Sequence, residues 1–267
     1  MALGQKTAYP NTYDSELLHA VPRFRQREAM GFPDNSLFFG ADVWNLYELS
    51  FHNMKGKPVR ALATLVVPCN SPFIVESKSM KLYLNSINKT RFASVQEVKE
   101  LIERDVSKVC QSNVQFDVLN EKSAVFFSSH DSGFYCLDEL DVEVQHYQRN
   151  PDLLMLDDAN IVQEKVVTHL FKSHCLVTRQ PDWASIFIEY RGPKIARESL
   201  LAYLISFHDH VGFSENCIEQ IFVDILQRAR PQTLTINGRF TRRGGIDINP
   251  LRSTSSIETH NWRVFYQ

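Results

Sequence analysis

Two stretches of this chain run alongside each other in pattern, and that restricts its fold more than any other feature. The first opens on Tyr83-Leu84-Asn85-Ser86, reaches Phe92, passes into a helical pattern over 95–109 and then a strand-like run over 114–118. The second opens on Tyr203-Leu204-Ile205-Ser206, reaches Phe213, and repeats the helical pattern over 217–229 and the strand-like run over 233–236. Ahead of each lies an alternating run led by tryptophan, 44–51 and 183–190, of the kind a half-buried strand requires. The common order predicts an internal duplication, with strands, then helices, then strands in each half. Met80, Tyr83, Leu84 and Ile87 fall at i, i+3, i+4 and i+7, so they read as the core face of a helix, and Ile218, Phe222 and Ile225 do the same in the second half. The expected division lies within 150–164, giving units 1–150 and 151–267.

Between the halves, residues 131–165 carry nine carboxylates against Arg149 and Lys165. Leu137 to Val144 partly alternates, as an exposed strand would, but a solvated connector is the plainer reading. The whole chain has 29 Lys+Arg against 31 Asp+Glu. That balance argues against a protein that grips a polyanion, so no direct nucleic-acid partner is expected. With 43% hydrophobic and 22% charged residues, the chain reads as an ordinary globular protein and not a disordered one. No apolar run approaches the ~18 residues of a membrane span. The first 18 residues, with Lys6, Asp14 and Glu16, lack the apolar core of a secretory signal, so no membrane association and a cytoplasmic location are expected.

Five cysteines at wide spacings, with no CxxC pair, predict neither a disulfide framework nor a closed zinc site. For any one of them a small buried hydrophobe is the plainest reading. GxGxxG and GxxxxGK[ST] are both absent, which argues against a Rossmann site and a P-loop.

Four segments have the residue types for chemistry. Gln180-Pro181-Asp182 is a turn leading into a strand, and it sets Cys175 and Asp182 on either side. A thiol near a carboxyl group provides a nucleophile and a proton shuttle, given a cation such as Arg179, Lys172 or His174 to favour the thiolate. Against this, most free cysteines pack. Glu76 and Ser77 stand where a strand runs into a helix, with Lys78 and Lys81 adding positive charge. A helix start can receive an anion, and Glu76 can accept two N–H bonds from a guanine-like edge; a helix capped by Ser77 is the simpler alternative. Phe213-Ser214-Glu215 precedes the later helix, where Glu215 is either a substrate contact or a first-turn acid. Thr241-Arg242-Arg243-Gly244-Gly245 is a basic loop suited to a phosphate, or an ordinary surface turn. His208-Asp209-His210 with His174 and Cys175 offers zinc-ligand types, but i and i+2 on a helix splay to different sides.

Taken together these segments resemble one family. Glu76-Ser77-Lys78-Ser79-Met80-Lys81-Leu82-Tyr83 is similar to the signature of the QueF nitrile reductases, the 7-cyano-7-deazaguanine reductases of the queuosine pathway. The Cys175 to Asp182 segment, with its Gln-Pro-Asp-Trp turn, resembles their catalytic segment, and Thr241 to Pro250 their C-terminal stretch. The order of motifs matches the long, two-module form. The resemblance implies an α+β tunnelling fold (T-fold) with two ββααββ-type modules, antiparallel sheets and helices on one face. It implies NADPH-dependent reduction of a nitrile to a primary amine in transfer RNA modification, no metal, and at least a homodimer. Cys175 then resembles the nucleophile and Asp182 the proton donor. Val75, Glu76, Ser77, Ser214 and Glu215 match substrate contacts, and Ser77, Lys78, Arg243 and Gly244 match NADPH contacts. One position departs: the family usually has histidine where this chain has Ser214. Serine can hydrogen-bond but cannot serve as a base or cation near neutral pH.

If Trp44 and Trp183 correspond, Cys175 faces Ser36 and Asp182 faces Val43; if Tyr83 and Tyr203 correspond, Glu76 faces Ala196. Each half then lacks what the other keeps, and one composite site per chain is expected. Two other functions stay open at this level: a zinc-dependent pterin or purine hydrolase on the same fold, and a non-catalytic module that keeps the pocket.

Overall fold

The computed structural model describes residue 10 and residues 12–32, 37–119 and 133–267. In chain order its elements are β1 (Ala20–Pro22), α1 (Arg23–Ala29), β2 (Phe39–His52), β3 (Pro58–Pro68), β4 (Phe73–Val75), α2 (Ser77–Ile87), α3 (Val95–Cys110) and β5 (Gln115–Leu119). After these come β6 (Tyr135–Cys136), β7 (Leu156–Cys175), β8 (Pro181–Ile195), α4 (Arg197–Ile205), β9 (Val211–Gly212), α5 (Ser214–Ala229), β10 (Thr233–Phe240) and β11 (Ile246–Ser253). The class is mixed α+β. One sheet runs in the order β5-β3-β2-β11-β10-β8-β7-β6, with β9 added on β7, and β1 pairs β4 apart from it. Pairing is antiparallel except for β6 and β9, which lie parallel to β7. β2 and β11, in register from Phe39 opposite Ser253 to Leu46 opposite Ile246, join the two halves.

Period-two alternation decides which side each strand residue serves. Ile186 and Ile188 join Tyr203 and Phe222 in one core beneath the helices, while Phe187 between them packs with Val167 and Val264 on the other face. A second core gathers Trp44, Leu46, Tyr83, Ile87, Ile102 and Phe116. The helical stripe predicted at Met80, Tyr83, Leu84 and Ile87 is buried throughout.

The same hydrogen bonds recur in the two halves. Tyr83 OH donates to Asp105 at 2.7 Å, and Tyr203 OH to Asp224 at 2.6 Å. Ser79 Oγ donates to the Glu76 carbonyl and accepts from His19 N–H; Ser199 Oγ donates to the Ala196 carbonyl and accepts from Met155 N–H. α3 and α5 both end on a left-handed residue, Gln111 and Arg230. Glu76 and Ala196 thus occupy the same place, the N-cap of α2 and of α4. The tryptophans do not. Trp44 lies on β2, the first strand of its hairpin, and Trp183 on β8, the second strand of its own, so Asp182 and Val43 are not equivalent. Alternation marks a half-buried strand but not which strand of a hairpin it is. Ser36, the expected counterpart of Cys175, lies outside the described residues.

The Leu137–Val144 segment forms no strand. Its alternation arises because Leu137, Leu140, Val142 and Val144 pack on the core of Ile186, Tyr203 and Phe222 while Glu139, Asp141 and Glu143 face water. Among the described residues, no helix is long and apolar enough to cross a membrane.

An ionic cluster lies between the halves. Arg23 from α1 pairs with Asp42 of β2, and Arg252 of β11 reaches both Asp42 at 2.8 Å and Glu219 of α5 at 2.7 Å. Arg27 holds Glu219 at 2.6 Å. All five side chains are almost wholly buried. Burial opposes the charge on Asp42 and on Glu219, yet the surrounding guanidinium groups outweigh it and hold both below their ordinary values.

Candidate active site

One cleft collects residues from five separate pieces of chain: the β4–α2 junction, the β7–β8 turn, the start of α5, the β10–β11 loop and β11 itself. Val75, Ser77, Cys175, Asp182, Ser214, Glu215 and Arg243 all line it. The β7–β8 ladder explains the central pair. Ser173 sits opposite Asp182, so alternation turns Asp182 to the same side as Cys175, two residues past Ser173. The turn closes when Cys175 N–H donates to the Gln180 carbonyl at 2.9 Å and Arg179 N–H to the Cys175 carbonyl at 3.0 Å. Arg179 adopts a left-handed φ of 59° to make that reversal.

The electrostatics separate Cys175 from the other four cysteines. Burial raises its thiol, but hydrogen bonds from the Thr178 side chain and N–H, from Arg243 and from the Val177 N–H prevail, and its pKa falls below the ordinary value. Burial pushes the thiols of Cys69 and Cys136 up, and those of Cys110 and Cys217 up to about 12. Asp182 moves the opposite way. Burial raises its pKa, against the opposing pull of Arg243, Lys81 and His174. Arg243 lies 3.3 Å from Asp182 and also donates to Thr178 and Gln180. A thiol inclined to ionise and a carboxyl inclined to keep its proton therefore share one cleft.

At the other wall, Ser214 donates to Glu215 at 3.0 Å. Glu215 is only 2% exposed, and burial, with Asp42 nearby, pushes its carboxyl up to about 7. A first-turn acid serving only the helix dipole would stay in water; this one is sealed beside the cleft. Neither His208 nor His210 takes the place that histidine would have at 214. His208 Nε2 lies 2.9 Å from the Leu170 carbonyl, and neither ring lines the cleft.

Three expected residues are not in the cleft. Glu76 caps α2: its two oxygens accept the Lys78 and Ser79 N–H groups at 2.8 and 2.9 Å. Ser77 is the first residue of the helix and not its cap. Lys78 is exposed. Gly244 lines an adjoining cavity with Glu48, Asn85 and Asn88, and Lys81 and Ile246 form the wall common to both cavities. Lys81 was legible only as positive charge; its place follows from standing one turn after Ser77 on α2. Thr178 and Asp247 went unnoticed. Asp247 accepts from Tyr47, Asn45 and Asn249 and gave no local signal. Among the described residues, Cys175, His174, His208 and His210 form no group close enough to hold a metal ion.

Comparison with known proteins gives the family. A family model described as nitrile reductase, 7-cyano-7-deazaguanine-reductase N-term matches residues 9–118, and one described as QueF-like protein matches residues 181–259. The chain belongs to the QueF nitrile reductase family. Its QueF relatives include a protein of Ralstonia nicotianae, 48% identical over 94% of this chain and 92% of its own. Another, from Cupriavidus taiwanensis, is 46% identical with the same coverage. Both bear the name NADPH-dependent 7-cyano-7-deazaguanine reductase. Among solved structures, the archaeosine synthase QueF-Like in the apo form aligns over 36% of this chain and 96% of its own, at 16% identity and a TM-score of 0.32, too slight a likeness to define the fold.

Proposed function

We propose that this chain reduces the nitrile of 7-cyano-7-deazaguanine to the primary amine 7-aminomethyl-7-deazaguanine, with NADPH as reductant. The observation that carries the reading is Cys175: the one thiol of five whose pKa is lowered is the one that shares a cleft with Asp182, a carboxyl group whose pKa burial raises.

Cys175 is the nucleophile. Its thiolate adds to the nitrile carbon, forming the C–S bond, and one π pair moves to nitrogen. Asp182 delivers its proton to that nitrogen, leaving a thioimide on Cys175 and a carboxylate beside Arg243. Dividing a hard reduction through a covalent adduct is ordinary nucleophilic catalysis. Val75, Ser77, Ser214 and Glu215 bound the substrate; Glu215, its carboxyl pushed up to about 7, in its protonated form offers a donor as well as an acceptor to a guanine-like edge. NADPH, when bound, supplies hydride, two equivalents per nitrile. The residues around the adjoining cavity suit such a cofactor: Gly244 has φ +60°, a Cβ there would meet the Lys81 side chain at 3.2 Å, and Arg243 and Lys81 are the cations beside it. Ser77, Arg243 and Gly244 are its proposed contacts. Glu76 and Lys78 belong to the site through the α2 cap, which sets the position of Ser77.

The paired hydrogen-bond sets support a T-fold reading, with modules 1–150 and 151–267, each ββααββ in type. The sheet ends on β5 and β6, and open edges of this kind call for a partner; a homodimer is the assembly we propose.

Mixing the protein with 7-cyano-7-deazaguanine without NADPH should add the mass of one substrate to the intact chain. Cys175→Ala should show no added mass, and Asp182→Asn should slow adduct formation by roughly a hundredfold or more, the usual scale for losing a general acid. An adduct that survives Cys175→Ala would overturn the assignment.

A further inference from the structure

The face of the sheet away from the helices carries a second group of reactive side chains. Cys136 at the end of β6, Asp138 just beyond it, and His169 on β7 have ligand atoms all within 4.8 Å of one another. All three are half-buried, and none lines the cleft. We infer that Cys136, Asp138 and His169 form a binding site for a transition-metal ion of the zinc class, with thiolate, carboxylate and imidazole as ligands and one coordination position open.

The donor set is what a borderline-soft divalent ion selects: one sulfur, one ring nitrogen and one carboxylate oxygen. The surroundings orient two of the three. His169 Nδ1 lies 2.7 Å from Ser185 Oγ, which leaves Nε2 to coordinate. A hydrogen bond on the far ring nitrogen is the usual support for a metal-bound histidine. Asp138 Oδ1 accepts from Thr168 Oγ at 2.6 Å and from the His169 N–H at 3.2 Å, while Oδ2 accepts only that same N–H, at 3.0 Å, and keeps a lone pair for an ion. β7 bulges between Thr168 and Phe171, which withdraws the His169 N–H from the ladder and gives it to Asp138. Tyr266 lays its ring over His169 at 4.6 Å between centroids.

Metal–ligand bonds of about 2.0–2.3 Å in a tetrahedron put ligand atoms roughly 3.3–3.8 Å apart, so ligand atoms within 4.8 Å of one another need close by no more than about 1.5 Å to hold an ion. Binding releases the Cys136 thiol proton to water and needs no redox partner. The ion would pin the acidic connector to the bulged strand.

Full-length protein stripped with chelator is titrated with Co²⁺, following the thiolate-to-cobalt charge-transfer band, and then with competing Zn²⁺. One equivalent is expected, with Zn²⁺ displacing the band and raising the melting temperature. Cys136→Ser and His169→Gln should each weaken binding by roughly tenfold or more, while Cys175→Ala should retain it. If Cys136→Ser does not fold, His169→Gln with the wild-type titration decides. Absence of the band in the wild type, its persistence in His169→Gln, or its loss in Cys175→Ala would overturn the site. Nitrile adduct formation on Cys175 is read separately and stands or falls independently.

Discussion

At the scale of residues, the cleft works because neighbouring groups are pushed in opposite directions. Cys175 is drawn toward its anion by donors of its own turn, while Asp182 is held toward its acid by burial. Glu215 shows the cost of such an arrangement. Its folded pKa, about 7, lies above the ordinary 4.5. The folded state therefore binds the proton more tightly than the unfolded one, so stability is fully present below pH 4.5 and is lost as pH rises through 7. Glu215→Gln should thus be more stable than wild type at pH 8, by about 2–3 kcal/mol, with no difference at pH 4. Denaturant melts at the two pH values measure this, and an unchanged difference would mean the carboxyl is not held protonated. Ser214→His tests the departure from the family pattern. Turnover should be retained or raised, and a large loss would show a pocket rebuilt around serine.

At the scale of elements, local chemistry decides more than type and length. α2 begins where Glu76, and not the better-known cap Ser77, satisfies two free N–H groups. The same residue reads from sequence as a substrate contact, and each of its oxygens keeps a second lone pair beyond the cap. The β2–β11 seam turns on Gly40. Its φ is +131°, and a Cβ there would fall 2.0 Å from the Leu251 carbonyl oxygen. Backbone cannot yield as a side-chain tip can, so Gly40→Ala should cost at least about 2 kcal/mol. Thermal unfolding reads this directly, and a variant as stable as wild type would show that the seam can open without penalty.

At the scale of the molecule, the two halves are held by buried charge as well as by the shared sheet. Three arginines surround Asp42 and Glu219, and the two acids come from opposite halves. Removing one partner leaves cations buried and uncompensated, so Glu219→Gln should lose about 3–5 kcal/mol. Both acids have lowered pKa values. Their contribution is present above the ordinary carboxylate range and is lost as pH falls through the folded values. Acid unfolding of the wild type should therefore begin before that of Glu219→Gln relative to its own neutral stability, and parallel acid transitions in the two proteins would remove Glu219 from this role.

The amino-acid sequence alone determined the class of the fold, the matching positions of Tyr83 and Tyr203, the core stripe on α2 and the Cys175–Asp182 turn. Each is carried by periodicity or by a turn within a few residues, and local geometry turns such patterns directly into shape. Tertiary structure alone decided that Trp44 and Trp183 lie on different strands of their hairpins, that Glu76 caps a helix start, that Lys81 and Asp247 line the cleft, and that Thr178 bonds the Cys175 sulfur. It also decided which of the five cysteines has its pKa lowered. These outcomes depend on desolvation and on charges brought together from distant positions, and no stretch of sequence contains the distances that set them.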